Sequence, residues 1–89
     1  MTYLVSYDLN KPGKNYSDLY DAIKAASTGK WCKPLESVYI IESSLSALSI
    51  YNKLSPCLDS NDRILVIEVK GQSYWYLDKE VSDYLQEML

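Results

Sequence analysis

The sequence predicts an α+β fold. One antiparallel sheet is built in the order β-α-β-β-α-β, with two helices on one face and an extra C-terminal strand and helix. Two observations carry this. Short segments rich in Val, Ile and Tyr alternate or run continuously apolar, which marks strands. Between them, apolar residues recur at spacings of three and four, which marks helices with one buried face. A third observation sets the scale. A chain of 89 residues makes a single domain, read as 1–89, and is too short for two lobes around a cleft.

Taken in order, Thr2–Asp8 alternates loosely and reads as the first strand. Asn10 to Asn15 holds adjacent Pro12 and Gly13 and reads as a turn-rich loop. Ser17 or Asn15 then caps a helix running to about Ser27, with Tyr16, Leu19, Tyr20, Ile23 and Ala26 on one face. Thr28-Gly29 stops it. Lys30–Leu35 reads as a strand broken at Pro34, which cannot donate to a ladder. Glu36–Glu42 reads as a strand around Val38-Tyr39-Ile40-Ile41. Ser43 or Ser44 caps a second helix from Leu45 to about Leu54, with Leu45, Ala47, Leu48, Tyr51 and Leu54 as its stripe. Asp59 to Asp62 reads as a polar turn, and Arg63–Val69 as the clearest strand. Gln72–Leu77 reads as a short aromatic strand. Asp78 then caps a C-terminal helix with Val81, Tyr84, Leu85 and Met88 on one side.

This order is the split βαβ, or ferredoxin-like, arrangement. The crossover rule, applied to it, predicts that Thr2–Asp8 and Arg63–Val69 lie side by side and parallel at the sheet centre. The apolar run Ile64–Ile67 suits a strand covered on both faces. The sheet face away from the two helices must be wet, covered by the C-terminal helix, or buried in a partner.

Composition narrows the chemistry. Hydrophobic residues at 47% and charged residues at 24% fit a globular chain and not a disordered one. No apolar run is long enough to span a bilayer, and the start Met1-Thr2-Tyr3-Leu4-Val5 lacks the basic region of a signal peptide. The reading is a cytoplasmic protein with no membrane partner. Histidine is absent, which removes His-based acid–base catalysis, Ser-His-Asp triads and His-ligated metals. Cys32 and Cys57 are read as free, inert thiols. A net charge of −3 does not support a strongly cationic nucleic-acid binder.

Four segments together resemble one family. Tyr3-Leu4-Val5-Ser6-Tyr7-Asp8-Leu9 resembles the first strand of the small CRISPR-associated nuclease that serves as second subunit of the spacer-acquisition complex. Leu35-Glu36-Ser37-Val38-Tyr39 looks like that family's Gln-x-Ser-Val-Phe segment, and Ser43–Leu48 like its Leu-Ser turn into the second helix. Asp59–Val69 resembles its Asp-x-(Arg/Lys)-Ile final core strand. The matches keep their order over roughly residues 3–70. The virulence-associated toxin family VapD shares the fold and a similar opening. The resemblance implies a ferredoxin-like homodimer in which strand-end aspartates, one per subunit, share a divalent cation. That role falls on Asp8, as catalytic residue and ligand of Mg²⁺ or Mn²⁺. The activity implied is a metal-dependent endonuclease acting on RNA or DNA in antiviral defence.

Read from the residues alone, Asp8 has two roles open to it. One carboxylate per monomer at a twofold axis meets the ligand count of a hard cation. Asp8 can equally end a strand and cap the turn that follows. Lys11, Lys14, Lys30 and Lys33, with Trp31 between the last two, flank the first helix and are candidates for binding a nucleic-acid backbone and stacking a base. The alternative is solvated lysines and a Trp31 that plugs the core. Tyr74-Trp75-Tyr76 either stacks a ligand or packs at an interface. Two function classes follow: a dimeric metal-dependent nuclease, or a non-catalytic dimerisation and interaction module. The second would be a structural subunit, or a phage-borne factor that binds a defence-system protein or a nucleotide.

Overall fold

Thr2–Asp8 forms β1, whose odd-numbered residues Tyr3, Val5 and Tyr7 are buried. The computed structural model describes residues 1–89. After the loop, α1 spans Ser17–Ala26; Tyr16, and not the expected Ser17 or Asn15, holds its N-cap position without a side-chain cap bond, and the Asn15 Oδ1 before it accepts the Ser17 amide at 2.9 Å. β2 is Trp31–Leu35 and β3 is Val38–Glu42; the β2–β3 register is broken between Cys32 and Leu35, around Pro34. α2 (Ala47–Leu54) leads through a 3₁₀ turn at Ser55–Cys57 to β4 (Arg63–Glu68). α3 (Lys79–Met88) follows. The fold is α+β, with a four-stranded antiparallel sheet and three helices. No helix is long and apolar enough to cross a membrane.

The sheet order is β2-β3-β1-β4. This corrects the expected centre. β4 lies at an edge and runs antiparallel to β1, and the central pair is β1 with β3. The reason is the interleaving of the two crossovers. Each of β1-α1-β2 and β3-α2-β4 skips one position, and the strand of the other unit fills it. Nor is β4 covered on both faces. Its residues alternate between partly buried and exposed, with Leu65 at 51% and Ile67 at 49% exposure.

One face of the sheet packs on α1 and α2. Val5, Leu19, Ile23, Ile41, Ile50 and Leu54 are fully enclosed there. The opposite face is half covered. Leu85 and Met88 of α3 pack on Cys32 of β2 and Ile40 of β3, with Trp75 and Leu77 alongside. Leu4 of β1 packs against the margin of this cluster, and beyond it Leu65 and Ile67 of β4 stand half-exposed. Antiparallel partners share a face, so Leu4 and Ser6 lie there beside Ile67 and Leu65.

Four further expectations are corrected. α2 starts two residues late, capped by Ser46, whose hydroxyl accepts the Ser49 amide at 3.1 Å. Ser43 is instead buried, donating to the Ala26 carbonyl and accepting the Leu45 amide. The buried stripe of α2 runs through Ile50 and Leu54, leaving Leu48 at 67% exposure and Tyr51 exposed. Two apolar stripes compete on this helix, and contact with the sheet selects the one through Ile50. Finally, Gln72–Leu77 forms no strand. Trp75 and Leu77 turn inward while Tyr74 and Tyr76 are fully exposed, so the segment alternates like a strand without pairing like one. Asp78 holds the N-cap position of α3 but makes no side-chain cap bond.

Candidate functional site

The C-terminal end of β1 and the start of β4 meet at one end of the sheet, where Asp8 faces Arg63 in register. They line a shallow recess of about 190 Å³ with Ser6, Tyr7, Ile64 and Leu65. Asp8 is exposed. The ion pairs of the chain join Lys11 and Lys14 to Asp59, Lys70 to Glu68 and Lys79 to Asp83, and none includes Asp8. Arg63 is turned away from it, donating to the carbonyls of Asp62 at 2.8 Å and Ser60 at 3.2 Å.

Beside this recess, two loops are tied together by Asp62. Its carboxylate accepts the Asn10 amide at 2.7 Å, the Asp59 amide at 2.8 Å and the Tyr16 hydroxyl at 2.8 Å. Asp62 is nearly buried, and burial pushes its carboxyl upward. The hydrogen bonds from Asn10, Asp59 and Tyr16, with Lys14 nearby, outweigh that and hold it below the usual carboxylate range. Lys14 donates to Asp59 at 2.8 Å and to the Cys57 carbonyl at 2.9 Å, and its ammonium sits 4.7 Å from the Tyr16 ring centre. Lys14 therefore braces this knot. The sequence showed Asp62 only as a turn residue, because its partner Tyr16 lies 46 positions away.

The other basic candidates lie elsewhere. Lys30 is exposed in the loop before β2, and Trp31 opens β2 opposite Ile41, which pairs with Tyr3 near the start of β1. The length of α1, roughly 15 Å for ten residues, separates these from Lys11 and Lys14. The five candidates do not converge on one patch. Trp31 is half-buried, 5.8 Å from the Tyr39 ring, with the Lys24 ammonium 4.8 Å from its own ring centre. Lys33 lies 5.5 Å from the Tyr20 ring and 5.9 Å from that of Tyr39. Lys24, absent from the sequence-based candidates, completes this cation–aromatic surface. Tyr7 joins its inner side. Burial, with neighbouring Tyr20 and Tyr39, pushes the Tyr7 hydroxyl up to about 12.

The donor set for a divalent cation is short. No three of the Cys, Asp and Glu side chains cluster as a metal site. Asp8 stands as one carboxylate, where a hard cation takes one or two together with waters and phosphate oxygens. Both cysteines are free thiols. No family model and no curated protein matches this chain.

Proposed function

We propose that the chain is a non-catalytic dimerisation and interaction module of ferredoxin-like architecture, serving as a structural subunit or a binding factor. The sheet order β2-β3-β1-β4 supports the architecture. One observation carries the function. On the sheet face away from α1 and α2, Leu65 and Ile67 of β4 stand half-exposed beyond the part that α3 covers. Adjacent exposed apolar residues on a sheet mark an interaction surface. The lysines suited to nucleic acid are largely engaged within the chain, Lys11 and Lys14 with Asp59 and Lys33 over tyrosine rings. Sedimentation at tens of micromolar tests the reading. A dimer is expected, and a lone 10.2 kDa species would overturn it.

A second reading, a metal-dependent endonuclease acting on RNA or DNA in defence, is favoured by the exposed Asp8 with no ion-pair partner. Asp8 of two copies would hold Mg²⁺ or Mn²⁺, which when bound polarises a phosphodiester and activates water. Asp8→Asn keeps the shape and removes the charge. Under this reading it abolishes cleavage of labelled RNA or DNA that wild type performs and chelator stops. Equal background from both proteins would sink it.

A further inference from the structure

The two edges of the sheet are built differently. The β2 edge carries Lys33, Pro34 and a broken register, all of which obstruct outward pairing. The β4 edge has none of these: its register with β1 is regular from Arg63 to Glu68, without proline or lysine. The Val69 amide donates to the Thr2 carbonyl at 2.8 Å, making Thr2 and Val69 a hydrogen-bonded pair. Antiparallel alternation extends this to Leu4 with Ile67, Ser6 with Leu65 and Asp8 with Arg63. The amides and carbonyls of Ile64, Val66 and Glu68 therefore point outward, and no backbone bond in the chain takes them up. Gly71, at φ 79°, turns the chain away from β4, and the following Trp75 and Leu77 pack beside Cys32, Ile40, Leu85 and Met88.

We propose that β4 pairs antiparallel with β4 of a second copy, about a twofold axis at Val66. The two four-stranded sheets then become one continuous sheet. This rests on the dimer reading and adds its seam. Outward-pointing residues must face one another, so even-numbered positions meet even-numbered ones. With the axis at Val66, Leu65 meets the second copy's Ile67 on the face away from α1 and α2, and Ile67 meets its Leu65. Moving the axis to Leu65 sets the half-exposed Ile67 against Arg63. Moving it to Ile67 sets Val66 against Glu68 and separates Leu65 from Ile67. The Val66 register sets Ile64 against Glu68, and it is the register that pairs the half-exposed Leu65 and Ile67 with each other. In that register the two Asp8 residues lie on strands separated by both copies of β4, at opposite ends. They cannot share a cation, so this seam is incompatible with a metal site built from Asp8 of both copies.

Cysteine crosslinking tests the seam. Leu65 and the second copy's Ile67 form a non-hydrogen-bonded pair, with Cα atoms about 4.5 Å apart, within the range a disulfide spans. Leu65→Cys and Ile67→Cys proteins are oxidised separately and after mixing, with wild type as background for Cys32 and Cys57. The mixture is expected to give a disulfide-linked dimer several-fold above either protein alone. Val66→Cys, which leaves Leu65 and Ile67 intact, is expected to crosslink by itself across the axis. A dimer by sedimentation in which neither the mixture nor Val66→Cys crosslinks would overturn the seam and leave the dimer reading standing. Leu65→Cys crosslinking as well alone as in the mixture would overturn the register. A monomer in sedimentation would overturn both.

Discussion

Asp62 binds two loops through its carboxylate, so its protonation state couples to stability. Its folded-state pKa is depressed. The unfolded chain therefore takes up the proton first, starting near pH 3.9. Stability from Asp62 is full above that value and is lost as pH falls through the folded value. Urea midpoints measured from pH 5 downward should show this loss in wild type, and Asp62→Asn should flatten it. At the alkaline end the sign is different. Tyr7 keeps its proton to about 12 when folded but loses it near pH 10 when unfolded. Stability should fall as pH rises through that window, less so in Tyr7→Phe by the same measurement. Ser43 is the third such residue. It bridges the end of α1 to the start of α2 by donating to Ala26 and accepting from Leu45. Ser43→Ala leaves both groups without that partner and should cost about 1–3 kcal/mol in denaturant unfolding.

Helix α2 shows how an element acquires its phase. Leu48 and Tyr51 make as good a stripe on paper as Ile50 and Leu54. Contact with the sheet buries only the second pair. Ile50→Ala should therefore destabilise by about 2–5 kcal/mol, as buried truncations do. Leu48→Ala should stay within about 0.5 kcal/mol, as exposed substitutions do. Equal losses at the two positions in chemical denaturation would contradict the observed phase. The strands repeat the lesson. Ile64–Ile67 has the composition of a central strand, yet β4 lies at an edge with two of those residues half-exposed. Composition reports how apolar a strand is and not which strands flank it.

At the scale of the whole molecule, a short chain covers one sheet face with two helices and only half of the other with α3. The half-exposed apolar residues Leu65 and Ile67 lie on β4, at an unpaired edge. If a second copy covers them, folding and association are linked, and the melting temperature should rise with protein concentration. Scanning calorimetry over roughly a hundredfold range of concentration checks this. Leu65→Lys with Ile67→Lys should abolish the dependence, because a charge at each position opposes burial across the seam.

Much of this was legible locally. Alternation in Thr2–Asp8, the three-and-four spacing of Leu19, Ile23 and Ala26, and Pro34 at a strand break each depend on residues a few positions apart, and each appears in the fold as read. The positions of Asp8, Lys11, Lys14, Lys30, Trp31 and Lys33 relative to these elements were legible too. Their partners were not. Asp62 meets Asn10 and Tyr16 across 52 and 46 positions, and β4 meets β1 across more than fifty. The phase of α2 and the order of the strands depend on which surfaces dock, a choice made by burial summed over the whole chain. The sequence by itself determined the elements and their apolar faces, because local backbone and side-chain preferences set them. Only the tertiary structure decided that β4 is an open edge, that Lys14 braces a loop, and that Asp8 stands alone, because those facts are relations between distant segments.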